Sequence, residues 1–248
     1  MNTNLEIYET EGVYGDSSIN HDQRLNQMLE LIKGTNIKSG AILDIGCGTG
    51  FFTSQLRNVF PEVKLYGVDI SETALKIGKE KYPFVFFAKA DAERSLPFVE
   101  NTFDIIISGE HIEHLKDVDT YLLEVSRVMK ENGVLVLSTP NLGFWLSRLL
   151  LLFGRQPFYL EPSLRKSLPI ISYFGKTFPE NLEVLPSGHL RLYTLNMLKK
   201  LLAHYGFEVI EVKSVPHLKG KILRTIDNFF ARFPSLGYGL IIKAQKYE

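Results

Sequence analysis

Ile42-Leu43-Asp44-Ile45-Gly46-Cys47-Gly48-Thr49-Gly50 is the stretch on which the fold turns. Residues 41–45 form a short apolar run bounded by glycines, the pattern of a buried strand. The glycines at 46, 48 and 50 then read as a tight turn that opens a helix over 49–59. In doubly wound sheets, ligands bind beyond the carboxyl ends of the strands, where a glycine-rich first turn admits a nucleotide to the backbone. The spacing here is G-x-G-x-G. A dinucleotide fingerprint would put its third glycine on Phe51, and a phosphate loop would need Gly-Lys-Ser/Thr, which is absent. Asp44 in front of the turn is a poor neighbour for a pyrophosphate and a suitable one for a cation. A plain tight turn is the bland alternative.

Outward from this turn, strands alternate with helices. Toward the amino end, Leu25, Met28, Leu29 and Ile32 recur at helical spacing and predict a helix over 22–32. Toward the carboxyl end come a strand over 64–69 and a helix capped by Ser71 that runs to Tyr82-Pro83. Strands follow at 84–88 and 103–108, then an amphipathic helix over 118–129 that stops at Glu131-Asn132-Gly133, and a strand over 134–138. This alternation predicts an α/β fold: a Rossmann-like, doubly wound, seven-stranded and mostly parallel sheet with an antiparallel last strand. The rhythm breaks after Pro140. Residues 141–189 form an insert rich in proline, aromatics and arginine, expected as a helical lid over the working edge of the sheet. A helix over 194–205, an alternating strand over 207–212, a second helical insertion over 216–236 and a last strand over 240–244 complete one domain, 1–248.

Composition narrows the function. The chain has 248 residues, 45% of them hydrophobic and 23% charged, an ordinary balance for a folded domain. Lys plus Arg (28) equals Asp plus Glu (28), so no global field draws it to nucleic acid. One cysteine, Cys47, permits no internal disulfide and fits a reducing compartment. The polar amino end lacks a signal peptide's apolar run, and residues 144–153 are too short to span a bilayer. A cytoplasmic protein without a transmembrane segment is expected.

Motif order carries the next step. The 42–50 string resembles the first motif of the class I S-adenosylmethionine-dependent methyltransferases, and the family's later landmarks follow over 20–138. The resemblance implies S-adenosylmethionine as cofactor and S-adenosylhomocysteine as product. Asp44, Gly46, Gly48 and Gly50 would form the first turn. Asp69 in Gly67-Val68-Asp69-Ile70-Ser71 would accept the ribose hydroxyls, with Ile70 beside it. Asp91 would take the adenine amine and the Ala92 backbone would meet the ring. Ser108 and Gly109 would end the fourth strand beside the methionine portion. Arg24 is similar to an arginine of the ubiquinone-pathway O-methyltransferases that reaches the cofactor carboxylate, a bidentate match; a solvated arginine on a helix is the other reading.

The chemistry is expected just past the fourth strand, in Gly109-Glu110-His111-Ile112-Glu113-His114-Leu115. Methyl transfer is an in-line displacement, so the enzyme positions the acceptor and removes its proton where needed. Glu110, His111 and His114 are the catalytic expectation, with His111 as first base because an unperturbed imidazole titrates near neutrality. Glu110, Glu113 and His114 also have the i, i+3, i+4 spacing that puts three ligands on one helical face. That resembles the ExxEH metal motif of the small-RNA 2′-O-methyltransferases and ubiquinone-pathway enzymes, where His189 would stand as a further histidine. The preferred reading is metal-free, with Glu113 favouring a helix amino end and His114 packing on the sheet.

The insert also resembles, locally through Asn141-Leu142-Gly143, Arg148 and Gly154-Arg155, proteins named for methionine biosynthesis and methyltransferases of surface-glycan gene clusters, a likeness with which function does not transfer. An arginine-bearing aromatic lid suits an anionic or amphipathic acceptor or a lipid headgroup; apolar lid residues buried on the sheet are the alternative. The leading expectation is transfer to an oxygen or nitrogen of a small-molecule or lipid- or glycan-linked acceptor, with peripheral membrane contact left open. A non-catalytic cofactor-binding regulator and a metal-assisted RNA 2′-O-methyltransferase are the rivals. Charge balance argues against the latter.

Overall fold

The computed structural model describes residues 23–157, 159–161, 163 and 187–247. Seven strands form one sheet in the order β3-β2-β1-β4-β5-β7-β6. They are β1 (Gly40–Ile45), β2 (Val63–Asp69), β3 (Val85–Lys89), β4 (Phe103–Gly109), β5 (Met129–Pro140), β6 (Phe207–Val215) and β7 (Gly239–Lys246). β7 alone runs antiparallel, paired to both β5 and β6. The expected α/β sheet with an antiparallel last strand is therefore what the chain forms.

Helices cover both faces because the central strands β1, β4 and β5 are apolar on both sides. On one face α1 (Gln23–Lys33) buries Met28, Leu31 and Ile32 against Ile42, Ile105 and Ile107. On the other, α4 (Val118–Val128) and α6 (Leu195–His204) bury Tyr121, Leu122, Val125, Leu198 and Leu202 against Leu43, Ile106 and Leu135. Between them come α2 (Phe51–Gln55) and α3 (Glu72–Lys81), whose Ser71 cap accepts the Ala74 amide as the sequence predicts. The two insertions contribute α5 (Trp145–Leu152) and α7 (Lys221–Phe230).

Three local expectations are corrected. The helix over 49–59 is shorter: α2 gives way to a 3₁₀ turn, Leu56–Asn58. Glu131-Asn132-Gly133 does not stop a helix. Met129 already pairs with Phe103, so tertiary pairing ends α4 first, and Asn132 turns inside β5 at φ 60. Nor is there a helical face at 110–114: Glu110 lies at φ 49 and only Ile112–His114 makes a 3₁₀ turn. Of the lid, residues 158, 162 and 164–186 lie outside the described residues, with Arg165, Lys166, Lys176, Glu180 and Glu183; so do 1–22 and 248.

Candidate cofactor and acceptor site

Parallel register brings the carboxyl ends of β1, β2, β3, β4 and β5 to one edge: Asp44 faces Gly67 and Ile107, Asp69 faces Lys89, and Gly109 faces Ser138. A cleft of ≈ 220 Å³ opens there, with Arg24, Asp44, Gly46, Gly48 and Gly109 on its wall. Five residues expected at the cofactor site thus share one cavity. Gly46 and Gly48 turn at φ 73 and φ 54, the left-handed region where a side chain is strained. Gly46 is also indispensable for space, since a Cβ there would stand 2.7 Å from the His111 ring.

Asp44 is 4% exposed and accepts the Thr53 hydroxyl at 2.5 Å. Burial pushes its carboxyl up to about 7. Thr53 and Arg24 oppose that rise, and the charge of Asp69 adds to it. A buried carboxylate so poorly compensated gains most from an incoming ammonium. Arg24 approaches from the opposite wall, its Nη1 donating to Ser138 Oγ at 3.3 Å. One anion and one cation on the same small cleft match a zwitterionic amino-acid end. The cleft therefore fits the methionine portion of S-adenosylmethionine.

The neighbouring strand end presents a fixed carboxylate. Asp69 accepts the Gly48 amide on Oδ2 at 2.8 Å and the Ser71 amide on Oδ1 at 2.9 Å. Each carboxylate oxygen accepts more than one hydrogen bond, so ribose hydroxyls can join without displacing these. The Asp69 carbonyl accepts the Ala90 amide at 3.0 Å, which carries the chain from β3 straight to Asp91 and buried Ala92. Asp91 accepts the Glu93 amide and faces Arg94 at 3.3 Å.

Beyond β4 the expected catalytic residues part company. Glu110 is held on its left-handed corner by β5: its amide donates to the Ser138 carbonyl at 3.0 Å, and Ser138 Oγ donates to Glu110 Oε1 at 3.0 Å. Ser138 thereby links Glu110 to Arg24. Sequence reading missed it, although its place at the end of β5 was the available signal. His111 packs on Gly46, edge-on to Tyr121 at 5.5 Å, with Nδ1 3.4 Å from the hydroxyl of Ser108. Its near-neutral titration is also corrected: burial, aided by His114, lowers it to about 3.

His114 turns away from the cleft. Its Nδ1 donates to the Gly188 carbonyl at 3.2 Å, and its ring lies 5.0 Å from His189. Glu113, His114 and His189 bring ligand atoms within 4.8 Å of one another, a group that could hold a metal ion; Glu110 is not part of it. Glu113 is fully buried and accepts Thr139 Oγ1 on Oε2 at 3.0 Å; its Oε1 has no hydrogen-bond partner among the described residues and faces His114 Nε2 at 3.9 Å. Burial first, then Glu110, raise its carboxyl well above the ordinary value.

Comparison with known proteins agrees with this geometry. Residues 43–137 match the family model described as a methyltransferase domain. The chain is 31% identical over 198 residues to demethylmenaquinone methyltransferase of Anoxybacillus flavithermus, covering 74% of this chain and 77% of that one. It is 29% identical over 120 residues to malonyl-[acyl-carrier protein] O-methyltransferase of Legionella pneumophila, covering 46% and 41%. The S-adenosylmethionine-dependent methyltransferase of Mesorhizobium loti superposes with a TM-score of 0.62 at 19% identity, over 92% of this chain and 100% of that one. Among the described residues no helix is long and apolar enough to cross a membrane. With a cleft that fits the zwitterionic end of the cofactor and relatives that share most of its length, the chain belongs to the class I S-adenosylmethionine-dependent methyltransferases, a family of enzymes.

Proposed function

We propose that the enzyme methylates an oxygen or nitrogen of a small or lipid-linked acceptor whose ring seats beyond Glu110. The observation that carries this reading is the Arg24–Ser138–Glu110 chain, which holds a carboxylate at the border of the cofactor cleft. In this reading Arg24 binds the cofactor's carboxylate and Asp44 its amino group. Gly46, Gly48 and Gly50 admit it to the backbone, and Ser108 and Gly109 flank its methionine portion. Asp69 and Ile70 hold the ribose, and Asp91 and Ala92 the adenine. When bound, S-adenosylmethionine supplies a methyl group on a positive sulfur that leaves as a neutral thioether. Glu110 orients the acceptor and takes its proton. His111, neutral at physiological pH, contributes a hydrogen bond rather than a charge. His114 supports the wall with His189 rather than touching the acceptor.

Beyond Glu110 stands an aromatic wall: His217 stacks on Tyr238 at 4.1 Å, and Tyr159 meets Tyr238 at 4.9 Å. Tyr238 is raised to about 12, by burial first, with Glu110 among the charges that reach it. A wall of rings favours a planar acceptor through stacking. Of the acceptors in the relatives' names, a quinone meets that requirement better than a malonyl thioester. The equal count of basic and acidic residues supports a non-nucleic-acid acceptor, and the free Cys47 supports a cytoplasmic setting. A labelled-methyl screen across ring, acyl and glycan acceptors tests the reading. Transfer to ring hydroxyls is expected, with Glu110→Gln lowering turnover by about 10²–10⁴-fold while S-adenosylhomocysteine affinity holds. Transfer only to acyl or glycan acceptors would overturn the aromatic assignment.

A further inference from the structure

α7 presents an apolar face that no described residue covers. Ile222, Ile226, Phe229 and Phe233 recur at i, i+4, i+7 and i+11, and they are 75%, 38%, 53% and 50% exposed. What ties the helix to the body lies on its other side. Asp227, fully buried, accepts Trp145 Nε1 at 3.0 Å and the amides of His217 and Leu218 at 2.7 Å, while Phe230 stacks on Trp145 at 5.2 Å. Trp145 opens α5, whose far end is also bare: Leu151, Leu152 and Phe153 are 53%, 76% and 74% exposed. The two insertions thus meet through one tryptophan and both leave large apolar side chains in water. Such exposure over two adjoining helices marks an interaction surface.

Charge decides the partner. Residues 143–157 and 217–235 carry Arg148, Arg155, Lys219, Lys221, Arg224 and Arg232 against a single acid, Asp227, which is buried. In a chain with no net charge this is a local concentration of cations around an apolar face. A helix with large apolar residues on one side and Lys and Arg on the other lies in the plane of a membrane interface, its basic side chains reaching anionic headgroups. A protein partner would be expected to bring acids to specific cations; a bilayer needs only that cations surround grease. The placement is consistent: α5 leaves the end of β5, and α7 leads into the start of β7, where Pro140 and Gly239 pair. This is the edge at which the catalytic cleft opens.

We infer that α7 and the end of α5 form a docking face for an anionic lipid surface, on which the enzyme sits with its acceptor entrance toward the bilayer. The purpose of such docking rests on the lipid-linked acceptor proposed above, but the binding is measured without methyl transfer, so either can fail alone. The test is cosedimentation of the full chain with vesicles of phosphatidylcholine, with and without phosphatidylglycerol. Binding is expected only to the anionic vesicles and should weaken with salt. Ile222→Asp with Phe229→Asp should abolish it, and Lys221→Glu with Arg224→Glu should lower it by roughly tenfold or more. Both pairs should keep wild-type affinity for S-adenosylhomocysteine, which shows that the fold survives. Three results would overturn the inference. The first is no anionic-vesicle binding by the wild type. The second is a dimer in light scattering that Phe229→Asp splits, which makes the occupant a second copy. The third is a large fall in Tm in the aspartate pair with vesicle binding unchanged, which makes the occupant this chain's own residues.

Discussion

The two halves of the working edge are built on opposite principles. At the ends of β1, β2 and β3, polar groups are tied to nearby backbone: Asp69 holds the amides of Gly48 and Ser71, and Asp91 that of Glu93. At the ends of β4 and β5, some buried polar atoms have no hydrogen-bond partner among the described residues: Glu113 Oε1, His189 Nδ1 and the Tyr193 hydroxyl. The first half is a rigid mould for a ligand common to a whole family, and its turns can be specified by a few glycines and acids. The second is a buried cluster around Glu113, His114 and His189 in which some polar atoms lack a hydrogen bond. Preorganisation is local in the first half and long-range in the second.

The largest effect should come from breaking the mould. Gly48→Val places a branched side chain at φ 54 on the wall of the cleft. S-adenosylhomocysteine binding should weaken by roughly hundredfold or more, with a strain cost of about 1–3 kcal/mol in stability. Calorimetric titration together with circular dichroism reads both. Global unfolding would show that the glycine belongs to the fold rather than to the ligand.

A milder cut is Asp69→Asn, which keeps the shape but loses one acceptor and the charge. Cofactor affinity should fall by about 1.5–3 kcal/mol, the worth of hydrogen bonds to a charged group. Unchanged affinity would place the ribose elsewhere.

Asp44 then gives a pH signature to the mould. Its folded carboxyl is raised from 3.8 to about 7. Its contribution to folding stability is therefore complete below about pH 4 and is lost as pH rises toward about 7. Ligand binding runs the other way, because an ammonium needs the carboxylate. S-adenosylhomocysteine affinity should drop as pH falls below about 7, approaching tenfold per unit, and Asp44→Asn should flatten that slope. An unaltered slope in the variant would remove Asp44 from the amino-group contact.

The smallest effect probes this second cluster. Burial and the neighbouring Glu110 raise the Glu113 carboxyl above the ordinary value, which weakens it as a ligand for a divalent ion. Calorimetric titration with magnesium or manganese should show nothing tighter than about millimolar near neutrality, and Glu113→Gln should change little. A micromolar site lost in that variant would turn the second half into a metal centre and end the contrast.

Much of this was legible in residues 42–50 and the strands around them. Alternation of short apolar runs with amphipathic helices determines the doubly wound sheet, since the periodicity of burial is written into neighbours a few positions apart. Asp44, Gly46, Gly48, Asp69 and Asp91 were expected together for the same reason, and the strand order places them along one edge of the sheet. What the sequence could not show depends on partners far along the chain. Ser138 meets Arg24 from 114 residues away, and His114 meets Gly188 from 74. The spacing of Glu110, Glu113 and His114 suggested one helical face, and only the pairing of Glu110 with β5 sent them to different walls. Likewise an imidazole titrates near neutrality until packing removes its water, as it does for His111 against Gly46 and Tyr121. The second insertion, 216–236, was expected to be helical, and its apolar residues recur at helical spacing. Whether its apolar side faced the core or the solvent was decided by Asp227 and Trp145, because burial belongs to the assembled neighbourhood and not to the residue.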